Sequence, residues 1–166
     1  MVAIEKVSKK DIEECLKIYN YYIENTTATF EEKPLTLSEF EKRVSGIAEK
    51  YPFLVAKDGL SVVGYAYFDA FNQRSAYRHT ADLSIYLSKD CAGRGVGTIL
   101  YKALEKSASE LGIDNIISII TSENEKSVAF HEKNGFHFKG RLDNVGIKFG
   151  RILSVLFYQK TVGKTD

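Results

Sequence analysis

A chain of 166 residues with a net charge of +1 suits one domain with a sizeable core and offers no basic surface for phosphate-driven nucleic-acid binding. Its two cysteines, Cys15 and Cys91, fall short of a disulfide framework or a metal cluster. The opening MVAIEKVSKKDIEE lacks the apolar run of a leader and no later stretch is long enough to cross a bilayer, so a soluble cytoplasmic protein is expected.

In chain order, residues 2–7 read as a first strand. Ser8 with Asp11 three positions on predicts a capping box. The helix that follows carries Ile12, Cys15, Leu16, Tyr19, Tyr22 and Ile23 on one stripe. Residues 26–30 are β-branched and polar, too short to stand alone. Thr36 and Glu39 open a second helix with Phe40, Val44, Ile47 and Ala48 inward, ending before Pro52. Strands over 53–57 and 62–71 join through Asp58-Gly59, a hairpin signal, and 72–77 is a polar loop.

The next stretch organises the chain. Residues 82–87 (DLSIYL) alternate as a strand, SKDCAGRGVGT is a glycine-rich turn, and Val96, Leu100, Ala103, Leu104 and Leu111 recur at helical spacing up to a stop at Gly112. Glycines at 93, 95 and 97 let the backbone approach a ligand, and the first N–H groups of the helix attract phosphate. The plainer reading is a glycine-rich turn with no ligand. A Walker P-loop needs Gly-Lys-Ser/Thr, whereas Thr98 and Ile99 follow Gly97; the dinucleotide pattern G-x-G-x-x-G breaks at Thr98.

Residues 115–121 (NIISIIT) form a continuous apolar run, expected for a strand covered on both faces. A short helix over 127–133 closes at Asn134-Gly135, and strands over 136–142 and 151–160 flank the loop DNVGIKFG. The apolar ILSVLFYQ in the last strand suggests an exposed edge that a homodimer would cover. The ten Tyr and ten Phe belong to core and pocket lining, since no basic stripe accompanies them. The element order is β-α-α-β-β-β-α-β-α-β-β.

The run Ala92-Gly93-Arg94-Gly95-Val96-Gly97 resembles motif A of the GCN5-related N-acetyltransferases (GNAT), Gln/Arg-x-x-Gly-x-Gly/Ala, departing at Ala92. The element order is that of the same fold. The resemblance therefore implies a single domain over 1–166 of α/β (α+β) class, a mixed sheet of about seven strands with four helices packed on both faces. Four stretches are most similar to the phosphinothricin N-acetyltransferase branch: IYNYYIENTTATFEEKPLT, YRHTADLSIYL, NEKSVAFHEKNGF and NVGIKFGRILSVLFYQ. Asp82 stands where that branch has Glu, and Ile152 where it has Trp.

The resemblance implies acetyl-CoA as co-substrate, with its pyrophosphate on Gly93, Arg94, Gly95, Val96, Gly97 and Thr98. Pantetheine would pair as an extra strand with the backbone of Ile85, Tyr86 and Leu87, with further contacts from Asn124 and Lys133. His131 occupies the place where many relatives keep the Tyr that protonates the departing thiolate; the alternative is a histidine that packs or only bonds the cofactor. Acceptors in the branch are small amino-acid analogues such as phosphinothricin, methionine sulfoximine and methionine sulfone. Arg78 would hold their carboxylate, with Arg74 as a second cation and Phe30, Glu31, Tyr77 and Lys148 as walls and polar contacts.

An α-amine is mostly protonated at neutral pH and must lose a proton before attacking a thioester. Asp82 is the candidate base, its shorter side chain reaching the amine through a water. The alternative is a strand-edge carboxylate paired with Arg78 or Lys89. Asn124 could equally be a plain N-cap. No Ser-His-Asp or Cys-His arrangement competes, and His79, His131 and His137 lack the neighbours of a zinc site. Two other uses of the fold stay open: acetylation of a protein terminus or lysine, and a non-catalytic acyl-CoA sensor.

Overall fold

In a computed structural model, which describes residues 1–91 and 93–163, the chain forms β1 (Val2–Lys6), α1 (Ile12–Asn25), α2 (Leu37–Ala48), β2 (Phe53–Asp58), β3 (Ser61–Ala70), β4 (Thr80–Leu87), α3 (Val96–Lys106), β5 (Asn115–Thr121), α4 (Glu125–Lys133), β6 (His137–Lys148) and β7 (Arg151–Thr161). Ala92, the departing position of the glycine motif, lies outside the described residues. The strands make one sheet ordered β1-β2-β3-β4-β5-β7-β6.

Strand alternation sorts side chains into two cores. Ala66, Phe68, Ala81 and Leu83 meet Val96, Leu100 and Leu104 of α3 on one face. Tyr65 and Val55 meet Cys15, Ile23, Phe40 and Val44 of α1 and α2 on the other. The predicted capping box forms, with Asp11 Oδ2 accepting from the Ser8 backbone at 2.8 Å and its hydroxyl at 2.7 Å, and a second stands at the start of α2, where Glu39 Oε2 accepts from the Thr36 N–H at 2.7 Å.

Neighbouring strands are antiparallel except β4 and β5, which run parallel and pair only over Thr80–Asn115, Ala81–Ile116 and Asp82–Ile117. Beyond that point they part. Residues 83–87 keep their bonds to β3, and 118–121 theirs to β7, so two backbone edges face each other across a gap with Asp82 at its closed end.

Several expectations need correction. The third helix stops at Lys106, not Leu111; the Ser107 hydroxyl donates to the Leu104 carbonyl at 2.6 Å, competing with the helical ladder, and turns follow to Gly112. Ala48 is exposed because it lies off the buried Phe40–Val44–Ile47 stripe. Strand β5 is not covered on both faces, since Ile119 is 48% exposed beside the gap. The segment expected as a loop is mostly strand: β6 runs on to Lys148, and a two-residue turn at Phe149-Gly150, with φ of +52° and +69°, joins it to β7. The last strand is interior, paired with β5 and β6; the exposed edge is β6.

Candidate active site

The parted strands open a cleft of about 1280 Å³, lined by residues 82–88 and 118–121, by Tyr22 and 25–28 after α1, by Gly93 and Gly97, and by Asn124, Ser127 and His131. The glycine turn forms one end. Gly95, with φ of +74°, directly precedes α3, a conformation that favours glycine, and the helix therefore starts with its free N–H groups at the turn. Gly97 is closely packed: a Cβ there would lie 3.1 Å from the Phe130 ring and 3.2 Å from Leu87, so those side chains would have to give way. Val96 is buried in the α3 core and Thr98 half-buried, so these positions offer backbone more than side chain. The Arg94 guanidinium lies outside the cleft lining and donates to Asp58 Oδ2 at 2.7 Å.

Ile85, Tyr86 and Leu87 line the cleft along its free edge. The Tyr86 ring turns away, packing edge-on to Tyr19 and Tyr22, and the Tyr22 hydroxyl donates to the Leu87 carbonyl at 2.8 Å. Asn124 caps α4, its Oδ1 accepting from the Ser127 N–H at 3.2 Å, while it also lines the cleft. Lys133 is exposed at the far end of α4, away from the cleft.

Two buried polar atoms in this lining have no hydrogen-bond partner, Ser118 Oγ and His131 Nε2. Buried polar atoms are nearly always paired, so both suit a polar ligand such as the amide-bearing pantetheine arm of acetyl-CoA. His131 is held in place by a hydrogen bond. Its Nδ1 lies 2.7 Å from the Ser127 carbonyl, which can only accept, so Nδ1 carries the proton and the neutral ring presents a lone pair at Nε2. Burial, with Phe130 and Phe136 edge-on to the ring, pushes its pKa down. Held this way, the neutral ring offers Nε2 to a ligand in the cleft. Ser118, the polar residue at the centre of NIISIIT, escaped the sequence reading although its interruption of an apolar run was a visible signal.

Asp82 sits where the strands part. Burial, and secondarily the Asp69 charge, push its pKa up to about 7 against a hydrogen bond from the Leu83 N–H. Neither proposed partner reaches it: Arg78 donates to the Ser75 carbonyl at 3.3 Å, and Lys89 lies 5.7 Å from the Tyr21 ring centroid. Among the described residues, no ion pair involves Asp82.

Residues 26–35 cross the other end of the cleft as an irregular strap. Thr27 donates to Glu123 Oε1 at 2.6 Å, and the Thr121 hydroxyl donates to the Thr27 carbonyl at 2.5 Å. The buried Lys148 ammonium donates to the Thr29 carbonyl at 2.8 Å, and burial pushes its pKa down. Arg43 grips Glu31 with both nitrogens, at 2.8 and 2.6 Å, and the Tyr19 hydroxyl donates to the same carboxylate. Asn20 bonds both backbone groups of Leu35, at 3.0 and 2.9 Å. Phe30 lies on Gly146, where a Cβ would fall well inside contact distance of the ring. Phe30, Glu31 and Lys148 therefore fasten the strap, and none of the three is among the residues that line the cleft. Arg74, Tyr77 and Arg78 share the exposed turn before β4, also outside the lining. Thr27, Glu123 and Arg151, which do line it, were missed; Arg151 is tied to Glu123 in an ion pair. No group of three or more His, Cys, Asp or Glu gathers as metal ligands among the described residues.

Comparison with known proteins bears on this arrangement. The family model described as an acetyltransferase (GNAT) domain matches residues 4–155. The chain is 33% identical, over 98% of its length and 96% of the relative's, to an L-methionine sulfoximine/L-methionine sulfone acetyltransferase of Pseudomonas paraeruginosa. It is 32% identical, over 96% of its length and 87% of the relative's, to a phosphinothricin N-acetyltransferase of Streptomyces viridochromogenes. Its fold superposes with a TM-score of 0.94 and 35% identity, covering 98% of this chain and 89% of the other, on a GNAT-superfamily phosphinothricin acetyltransferase of Sinorhizobium meliloti in complex with acetyl-CoA.

Proposed function

The chain belongs to the GNAT acetyltransferase family, and from that premise we propose that it is one N-acetyltransferase domain that transfers the acetyl group of acetyl-CoA to the α-amine of a small amino-acid-like acceptor. The acceptor class is that of phosphinothricin, methionine sulfoximine and methionine sulfone, the compounds in the names of its relatives. Acetyl-CoA supplies an acyl group already activated as a thioester. The backbone N–H groups around Gly93, Gly95 and Gly97 would hold its pyrophosphate, and the free edge of β4 its pantetheine arm. Ser118, Asn124 and His131 Nε2 would add polar contacts along that arm.

One observation carries the catalytic part of this reading: Asp82, unpaired, lies at the closed end of the cleft with its pKa raised to about 7. A carboxylate poised near neutrality takes the amine proton, directly or through a water, worth roughly 10²–10⁴-fold in rate. Positioning contributes more, since oriented reactants reach effective molarities on the order of 10⁵ M or above. Arg74, Tyr77 and Arg78, on the turn leading into β4, are the proposed contacts for an acceptor carboxylate. The strap, held by Glu31 and Lys148, would shape that end.

The reading assigns no step to a metal, a membrane or a nucleic acid and places the protein in the cytoplasm; no helix is long and apolar enough to cross a membrane. A second copy would cover the β6 edge, where Phe138, Leu142, Val145 and Ile147, with Ile152 beside them, are all about half or more exposed. Light scattering on the eluting protein checks that dimer.

The function is tested by CoA thiol release from acetyl-CoA with methionine sulfone, methionine sulfoximine, phosphinothricin, ordinary amino acids and a lysine-bearing peptide. Turnover on the amino-acid analogues that falls about 10²-fold or more in Asp82→Asn is the expected result. Turnover on the peptide alone would move the acceptor to a protein, and cofactor binding without turnover would make the chain a sensor.

A further inference from the structure

A protonated amine and a thioester become an amide, a free thiol and one proton. If Asp82 is the base proposed above, on which this inference rests, that proton starts at the closed end of the cleft and must reach solvent. Asp69 lies directly across from Asp82 in the β3–β4 register, so both side chains leave the same face of the sheet. Asp82 lines the cleft. Asp69 lines a second cavity of about 430 Å³, between β3 and α2, together with Tyr67, Arg43, Lys42 and Lys50. No residue lines both spaces, and the register sets one carboxyl of this cross-strand pair in the lining of each.

Like charges directly opposite each other on a sheet destabilise it, and two carboxyl groups that share a site keep one proton between them. The described hydrogen bonds give Asp69 a single partner, the Ala70 N–H at 2.7 Å, and it is exposed where Asp82 is not. We propose that Asp69 and Asp82 act as one carboxyl pair, and that Asp69 passes the proton of each turnover out through the cavity under α2. An N–H bond of the ammonium breaks as an O–H bond forms at Asp82; that O–H bond breaks as one forms at Asp69, directly or through a water, and solvent takes the proton from there. No redox partner is needed.

The groups around the pair fix the direction. Lys42 and Arg43 of α2, and Lys50 just beyond its end, line the Asp69 cavity, with Arg43 already bound to Glu31. Tyr67 stands beside it on β3, near Tyr19 of α1 and Ser84 of β4, while β5 opposes Asp82 with Ile117. The cations line the Asp69 side of the pair, and Asp82 stands on the more enclosed side.

Asp69→Asn, which preserves shape, is read by the pH dependence of kcat/KM for one fixed acceptor. Without the facing charge, Asp82 ionises more easily, and the acid limb moves down by roughly one pH unit. At pH 8, kcat falls roughly threefold or more and recovers when imidazole is added as a mobile proton carrier, while Asp69→Glu keeps wild-type behaviour. An Asp69→Asn profile that overlays wild type, with no response to imidazole, overturns the pair and leaves Asp82 as a lone base. An Asp82→Asn enzyme with full activity overturns the pair and the base together.

Discussion

At the glycine-turn end of the cleft the groups offered to a ligand belong to the backbone, whereas the strap end is held by side chains reaching in from Asn20, Arg43, Thr121, Glu123 and Lys148. The two constructions age differently under mutation. A backbone site tolerates changes of side chain and fails when a Cβ or a shifted helix start blocks the approach. A side-chain site keeps its backbone but depends on several distant residues holding position at once. Asp82 sits between them, at the last pair before β4 and β5 part, and belongs to neither.

Breaking that junction has the largest effect on stability as well as on rate. The Asp82 pKa is about 7 in the folded protein and about 4 in an unfolded chain. Between those values the folded state binds a proton that the unfolded state does not, so wild-type stability falls as pH rises from about 4 to 7 and then levels off. Asp82→Asn removes the penalty. It is expected to match wild type near pH 4 and to exceed it by a few kcal/mol at pH 8, on the order of what a shift of that size implies. Urea unfolding at the two pH values measures this; equal stability at pH 8 would mean the carboxylate is well solvated and poorly placed to act as a base.

The contrast between the two ends is sharpened by a pair of glycine substitutions. Gly97→Ala drives a methyl toward Phe130 and Leu87, disturbing the start of α3. We expect the KM for acetyl-CoA to rise roughly tenfold, corresponding to about 1.4 kcal/mol, with the acceptor KM little changed. Gly146→Ala drives a methyl into the Phe30 ring and must move the strap. Here the acceptor KM should rise by about the same factor while that of acetyl-CoA stays within about twofold. If either variant moved both constants equally, the two ends would be one mechanical unit.

This contrast also explains what the sequence disclosed. Element order, the Ser8 capping box, the start of α2 and the glycine turn were legible because each is written in neighbouring residues: Thr36 sees Glu39 three positions on, and Gly95 sits next to the helix it starts. The alternation of DLSIYL set Asp82 and Leu83 on opposite faces, though the strand begins two residues earlier, at Thr80. The strap was not legible. Lys148 reaches Thr29 across 119 positions, and Thr27 reaches Glu123 across 96, and no local pattern marks such partners. Nothing local in the sequence therefore marks Glu31 and Lys148 as fasteners of the strap. The extra length of β6 was hidden for a related reason: Asn144-Val145-Gly146 looks like a turn, yet the strand passes through it as an irregularity, with Asn144 at φ of +58°.

The smallest expected effect tests the strap alone. Arg43 hydrogen bonds hold the Glu31 carboxyl below the usual carboxylate range, against a contribution from burial that would raise it. The folded value lies below the unfolded one, so this pair's stabilisation is complete above about pH 4.5 and is lost as pH falls through the folded value. Both side chains are about a third exposed, 36% for Arg43 and 34% for Glu31, and solvent screening limits the pair to roughly 0.5–1 kcal/mol. Glu31→Gln should cost about that much at pH 7 and almost nothing near pH 3, provided wild type remains folded there, with acetyl-CoA binding unchanged at neutral pH. A cost independent of pH would assign Glu31 to packing through Tyr19, and a loss of acetyl-CoA affinity would show that the strap reaches the glycine turn after all.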